Sequence, residues 1–477
     1  MLALAMLMGC PKQAPEPTVQ VAFDRSARPA PLPRRDFTLP ETTTATLSNG
    51  VPVFLVENHE LPFVDLRVVF RAGSFTNPAG LEGLASASAD MWNEGTVSYT
   101  GPELSTELRK LGSGVGSSAG LDRATISATS LKRNLEPTLD LWAEVLLRPT
   151  FPAQDWERIQ AQGLQDIQAS RADPGSTAWR VMDRQLFGDS YDGRFRSPES
   201  LSAIDVEAMK AWRETYVVPA NAAIFAGGDI TIEELVPLLE ARLSDWQGGE
   251  LTPVPEVAVL QPEQSQLFLV DKPGAAQSVV TLARPVGERT GEASDALSVG
   301  NTAWGGMFMA RLNMNLREDK GWTYGARSGF ADSHAERVWY AQSSIVSDST
   351  GPAVAEVLAE LAAIGGEHPL SDEEVDYMKS SLLNGYPGRF ETTDYLLGQK
   401  AEVWLYGLPA DYLDTYTSRI AGVEGAAAQA AFLEQVASQP LIWVVVGDVE
   451  SIRGPLEEAT GLTAALLDPE AQPLEGE

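Results

Sequence analysis

Residues 301–325 read Asn-Thr-Ala-Trp-Gly-Gly-Met-Phe-Met-Ala-Arg-Leu-Asn-Met-Asn-Leu-Arg-Glu-Asp-Lys-Gly-Trp-Thr-Tyr-Gly. The segment sets a guanidinium, Arg317, a short way before a phenol, Tyr324. A guanidinium fork and a phenol are preorganised donors for a developing negative charge. The residues alone leave a plainer reading open, in which Arg317 pairs with Glu318 or Asp319 and Tyr324 only packs. A second stretch, residues 83–96, reads Gly-Leu-Ala-Ser-Ala-Ser-Ala-Asp-Met-Trp-Asn-Glu-Gly-Thr. By itself it is an amphipathic helix with small residues where it packs closely.

The first stretch resembles the second-domain signature N-x-x-x-G-G-x-F-x-x-R-L-x-x-x-L-R-E-x-x-G-x-x-Y of the pitrilysin, insulin-degrading enzyme and mitochondrial processing peptidase family. So many fixed positions in one order do not agree by chance. The second stretch is similar to the same family's G-L-A-H-x-x-E-H-M-x-x-x-G-T. There, two histidines on one helix face hold zinc and the glutamate is the general base. Here the histidine positions fall on Ser86 and Asp90, and the glutamate position falls on Ala89. A serine hydroxyl does not replace an imidazole ligand, and alanine accepts no proton. The resemblance aligns Asp166 with the family's third ligand, a glutamate. One carboxylate without its two histidines makes no site, so no metal is expected on this chain.

The histidine supply excludes a displaced zinc helix. The chain holds three, His59, His334 and His368, and no two stand at i, i+4. His59 lies in a polar hairpin segment and His368 precedes Pro369; both read as solvated loop residues. A net charge of -31 argues against nucleic-acid binding, because phosphate would be repelled. The acidity suits basic peptides or partners, or serves solubility alone.

The single cysteine, Cys10, allows no intrachain disulfide. It ends an apolar run, and Leu7-Met8-Gly9-Cys10 resembles a bacterial lipobox, in which the cysteine is acylated and becomes the mature N-terminus. Residues 1–10 are therefore expected to be a lipoprotein signal peptide, although a basic n-region is missing. Pro11 is not the aspartate that commonly retains lipoproteins at the inner membrane, so a lipid anchor in the outer membrane, facing the periplasm of a bacterial envelope, is expected. No other run approaches the length of a transmembrane helix.

Residues 11–41 read as a proline-rich tether. Thr44–Leu47 and Val51–Val56 flank Asn49-Gly50, a two-residue hairpin signal. Leu66–Phe70 and Ala124–Ser130 read as strands; Pro102–Leu111, Leu135–Leu147, Pro152–Ala172 and Ser197–Tyr216 read as helical. Ala222–Ala226 is an apolar strand running into Gly227-Gly228-Asp229-Ile230. The plan then recurs: Leu267–Asp271 echoes Val53–Glu57, and Val444-Val445-Val446-Gly447-Asp448 echoes the strand before Asp229.

The expected architecture is α+β, with two tandem insulinase-like domains, each a β-sheet packed by helices. Residues 42–247 form the first, with the degenerate motif; 248–264, holding three prolines, form a loose linker. Residues 265–465 form the second, with Arg317 and Tyr324, and 466–477 an acidic tail. The resemblance implies that the halves clasp a peptide chamber. It also implies that Arg317 and Tyr324 reach a zinc site to hold substrate and stabilise the oxyanion. Some family members are heterodimers in which one subunit carries the zinc helix and the other the arginine–tyrosine pair. The expected function follows: a non-catalytic subunit completing the active site of a homologous H-x-x-E-H peptidase, with zinc in the partner and peptides as substrates. The other reading is a structural or peptide-binding scaffold on the peptidase fold.

Overall fold

The computed structural model describes residues 37–474. Cys10, the expected signal peptide and most of the expected tether lie outside the described residues. Two six-stranded sheets organise the rest. The first holds β1 (Thr43–Thr46), β2 (Pro52–Glu57), β3 (Phe63–Phe70), β4 (Gly114–Ala119), β5 (Ala124–Leu131) and β6 (Ala222–Gly228), in the order β1-β2-β6-β3-β5-β4. The second holds β7 (Gln266–Asp271), β8 (Gln277–Val286), β9 (Thr323–Asp332), β10 (Arg337–Val346), β11 (Ile442–Gly447) and β12 (Ala464–Leu467), in the order β12-β7-β11-β8-β10-β9.

The repeat read from the apolar strands is a repeat of topology. β2 lies parallel to β6 with Glu57 opposite Gly228, and β7 lies parallel to β11 with Asp271 opposite Gly447. These strands are apolar along their length because helices or loops cover both sheet faces. The copies differ at one edge. The first sheet is closed by β1, which hairpins onto β2 through Gly50 at φ 88°, and the second by β12, which arrives parallel to β7. β12 and the bridge from Leu467 to Pro473 carry the sheet past residue 465, so the expected acidic tail begins inside a strand.

The helices of the first half are α1 (Leu84–Met91), α2 (Gly101–Leu111), α3 (Leu135–Leu147), α4 (Ala153–Ala172), α5 (Pro174–Phe187), α6 (Pro198–Ala203), α7 (Val206–Tyr216) and α8 (Ile232–Leu243). The helical stretch expected over 197–216 is two helices. It breaks where the Asp205 carboxylate accepts the Ala208 amide at 2.8 Å and restarts the chain as α7. The second half contributes α9 (Glu292–Trp304), a short α10 (Arg311–Asn313), α11 (Thr350–Ile364), α12 (Asp372–Arg389) and α13 (Thr393–Leu405), among others.

A helix exchange joins the halves. α5 starts at Asp173, whose carboxylate caps the Ser176 amide at 2.7 Å, with Pro174 in the first turn. Its apolar face, Ala178, Val181, Met182 and Leu186, packs on Val279 and Ala283 of β8 and Val444 and Val446 of β11 in the other half. In return α13 covers β6 so closely that a Cβ on Gly227 would run into the Thr393 side chain. Arg71 adds a bond from its guanidinium to the Trp404 carbonyl at 2.9 Å and stacks on that indole at 4.3 Å. Residues 248–264 form no strand or helix, yet they are docked: the Leu260 amide bonds the Leu186 carbonyl at 2.9 Å, and Val257 and Val259 pack beside α5. No helix among the described residues is long and apolar enough to cross a membrane.

Candidate functional site

Helix α1 carries the degenerate motif, and its small residues are explained by packing. It starts from Gly83 at φ 102°, and a Cβ there would lie 2.8 Å from Cδ of Arg196. Ala85, Ala87, Ser88 and Ala89 are buried against α4, α7 and β4. Ser86 Oγ donates to the Gly83 carbonyl at 2.9 Å. Ala89 presents only a buried methyl, while its carbonyl accepts Ser117 Oγ at 2.7 Å.

Asp90 lies on α1 and Asp166 on the facing helix α4, close enough for the Asp166 charge to act on Asp90. Partial desolvation holds the Asp90 carboxyl above its ordinary range. The Arg196 charge opposes that rise, and the charges of Asp166 and Glu94 add to it. Asp166 accepts Gln162 Nε2 at 2.9 Å. The donor set is thus a serine already bonded to its own helix, a methyl and two carboxylates, and it does not fit zinc. No group of three His, Cys, Asp or Glu among the described residues is placed to hold a metal.

Arg317 and Tyr324 come together at a different place. Arg317 lies on a wide, π-type turn over Met314–Asp319, in which the Lys320 amide reaches back to the Asn315 carbonyl at 3.0 Å. Gly321, at φ 67°, turns the chain into the edge strand β9, and Tyr324 stands 91 % exposed on that edge. The guanidinium lies 4.8 Å from the ring centre of Phe308 and 5.9 Å from that of Tyr324. Its Nε also lies 3.3 Å from Glu318, the pairing that the plainer reading raised, whereas Asp319 pairs with Lys320. Tyr324 does not pack: its ring is open to solvent. Phe308 and Met309 beside the motif are 53 % and 48 % exposed.

Ser86 instead lines a cavity of about 800 Å³ between the halves, to which neither Arg317 nor Tyr324 contributes. Its walls come from α5, the Tyr191–Arg196 loop, the start of α1 and the Phe330–Tyr340 hairpin of the second sheet. Sequence reading missed these residues. Beside this cavity the halves are bolted by polar contacts. Asp122 accepts the Tyr406 hydroxyl at 2.8 Å and the His334 amide at 3.1 Å, and Asp192 accepts the Ser333 hydroxyl at 2.8 Å. The His334 ring stands edge-on to Phe75 and Tyr406, and burial lowers its pKa against the opposing pull of Asp122. His59 is solvent-facing, held by Asp229 at 2.6 Å and Glu57 at 3.4 Å, and His368 is exposed.

Against known proteins, the family model described as insulinase (peptidase family M16) matches residues 52–188. That of the peptidase M16 inactive domain matches residues 203–382. A non-peptidase homolog from Helicobacter pylori is 23 % identical over 376 residues, covering 78 % of this chain and 85 % of the relative. An uncharacterized zinc protease from Mycobacterium leprae is 25 % identical over 346 residues, covering 71 % and 77 %. Among solved structures, a peptidase M16 inactive domain from Pseudomonas fluorescens superposes with a TM-score of 0.78 at 26 % identity, covering 85 % of this chain and 98 % of that one. A Helicobacter pylori protease, at 16 % identity and a TM-score of 0.76, shares the fold over 86 % of this chain and 100 % of its own.

Proposed function

This chain belongs to the insulinase (M16) family of peptidases as a non-catalytic member, and from that premise we propose that it completes the active site of a zinc-bearing homologue. The observation that carries the reading is the state of Tyr324. A phenol 91 % exposed on a folded strand edge, beside a guanidinium, has no role in holding its own chain together. Its own degenerate helix does not use it, because the cavity at Ser86 excludes both residues of the pair.

In this reading the partner supplies zinc, its ligands and the general base, and this chain binds no cofactor. Arg317 and Tyr324 enter in trans. As water adds to the scissile carbonyl, charge builds on oxygen, and two fixed donors in a water-poor site stabilise it more than they stabilise the neutral carbonyl. Phe308 supports this by keeping the guanidinium plane over its ring rather than leaving it free in solvent. Acylation of Cys10 would hold the pair of subunits at the outer membrane, a proposal that rests on Leu7-Met8-Gly9-Cys10.

Affinity purification of the tagged chain from its native membrane fraction, followed by zinc analysis and peptide hydrolysis, tests the assignment. Recovery of an H-x-x-E-H homologue carrying stoichiometric zinc and peptidase activity is expected. A chain recovered with no such homologue, or with partners devoid of peptidase activity, would favour the scaffold reading.

A further inference from the structure

Tyr324 sits at a fault in the second sheet. β9 and β10 pair antiparallel from Asp332 opposite Arg337 to Ala326 opposite Ser343, and the register then slips, so that Thr323 stands opposite Ile345. Two residues of β9, Tyr324 and Gly325, therefore face Ser344 alone, which makes a β-bulge. A bulge bends its strand and re-aims a side chain, here the phenol. Two buried hydroxyls take up the backbone groups that the slip displaces. Thr323 Oγ1 donates to the Ser344 carbonyl at 2.7 Å and accepts the Gly325 amide at 3.1 Å. Ser343 Oγ lies 2.9 Å from Thr323 Oγ1 and 3.1 Å from the Gly325 carbonyl. The bulge is held from within.

β9 is also an edge strand, whose outward amides have no strand to bond. The chain closes two of them itself. The Ser328 amide donates to the Gly305 carbonyl at 2.8 Å, an approach so close that a Cβ on Gly305 would lie 2.6 Å from Ser328 Oγ. The Ala326 amide, two residues past Tyr324, donates to Asn313 Oδ1 at 3.1 Å. Asn313 is 3 % exposed on α10, and its Nδ2 donates in turn to the Phe308 carbonyl at 2.8 Å. Phe308 is the residue whose ring centre lies 4.8 Å from the Arg317 guanidinium. One buried carboxamide thus ties the strand that aims the phenol to the loop that seats the guanidinium. We propose that Asn313 is a positioning residue for the Arg317–Tyr324 pair, fixing the spacing of the two donors through these two hydrogen bonds. The inference rests on the role given to that pair and goes beyond it, because the family signature leaves position 313 open and assigns Asn313 nothing. Leucine, branched alike at Cγ but without polar atoms, would leave the Ala326 amide and the Phe308 carbonyl without this partner. Strand and loop would then drift apart, and donors that are free to move stabilise a developing charge less than fixed ones do.

The test has one arm on the chain alone and one on the chain reconstituted with the proposed zinc-bearing homologue. In the chain alone, Asn313→Leu should speed amide hydrogen exchange at Ala326 by about tenfold or more, and change Ser328, which Gly305 holds, much less. In the complex, Asn313→Leu should lower kcat by about 10–10²-fold with little change in KM, while assembly and the partner's zinc content stay intact. Because the effect passes through the pair, the same change made in a Tyr324→Phe chain should cost much less; a residue that only supports the fold would cost the same in both backgrounds. Asn313→Asp keeps an acceptor for the Ala326 amide and loses the donor to Phe308. It disturbs packing least, so it should keep Ala326 protected and still lower kcat, and it carries the test should the leucine variant not fold. Unchanged exchange at Ala326 in Asn313→Leu would overturn the clamp. Full turnover of the Asn313 variants in a complex that Tyr324→Phe impairs, or equal costs in both backgrounds, would overturn the assignment of Asn313 alone. Full turnover of Tyr324→Phe itself would overturn the reading of the pair, and the role of Asn313 with it.

Discussion

Replacing Asp192 by asparagine removes a charge that the fold holds at a disadvantage. The side chain is 9 % exposed, its pKa is raised to about 7 from an ordinary 3.8, and its one hydrogen bond, from the Ser333 hydroxyl, is equally open to an amide oxygen. The folded state binds the proton more tightly than the unfolded one. The stability this acid contributes is therefore fully present below about pH 4 and is lost as pH rises through 7. Each pH unit between the unfolded and folded pKa values is worth about 1.4 kcal/mol, so the wild type gives up to about 4 kcal/mol at this position by pH 8. The asparagine side chain has no proton to lose. In urea unfolding at matched m-values, the Asp192→Asn variant should equal the wild type at pH 4. It should exceed it by a margin growing at up to about 1.4 kcal/mol per pH unit, and level off above pH 7. A difference flat in pH, or a variant less stable than wild type at pH 8, would refute the reasoning, because either result requires a cation beside Asp192 or an open, hydrated carboxylate.

Other expectations follow from the same geometry. Leu186→Ala opens a cavity between α5 and the second sheet, and should destabilise the chain by about 2–5 kcal/mol in urea unfolding; a loss below about 1 kcal/mol would mean that the helix exchange does not hold the halves. The purified chain alone should bind no stoichiometric zinc by elemental analysis, since Ser86, Ala89 and Asp90 supply no ligand set; one equivalent of zinc removed by Asp90→Ala or Asp166→Ala would contradict this. Cys10→Ser should move the protein from the membrane fraction to the soluble periplasm, and unchanged fractionation would argue against acylation.

The parts of the fold legible in the sequence are those set by local rules. Asn49-Gly50 marks its hairpin because the turn needs a positive φ, and β2, β6, β7 and β11 stand out because strands covered on both faces are continuously apolar. β4 does not stand out: Gly-Val-Gly-Ser-Ser-Ala carries neither alternation nor bulk, and its pairing with β5 alone makes it a strand. Helix α5 is readable from Asp173-Pro174 and the spacing of Ala178, Val181, Met182 and Leu186, but its place on the other half's sheet is not. The degenerate motif and the Arg317–Tyr324 pair are legible through the resemblance. The polar seam between the halves is not, because Asp122, Asp192, Ser333 and Tyr406 share no stretch of chain and meet only where the halves pack together.

The most direct measurement of the central claim uses the chain reconstituted with the proposed zinc-bearing homologue and compares turnover of the wild type with Tyr324→Phe. The change removes one hydroxyl from a side chain that is 91 % exposed in this chain, so fold, assembly and the partner's zinc content should be untouched. Loss of one preorganised oxyanion donor typically lowers turnover by about 10²–10³, or roughly 3–4 kcal/mol, and that is the result predicted here. Full turnover from a normally assembled Tyr324→Phe complex would contradict the account and leave the chain as a scaffold.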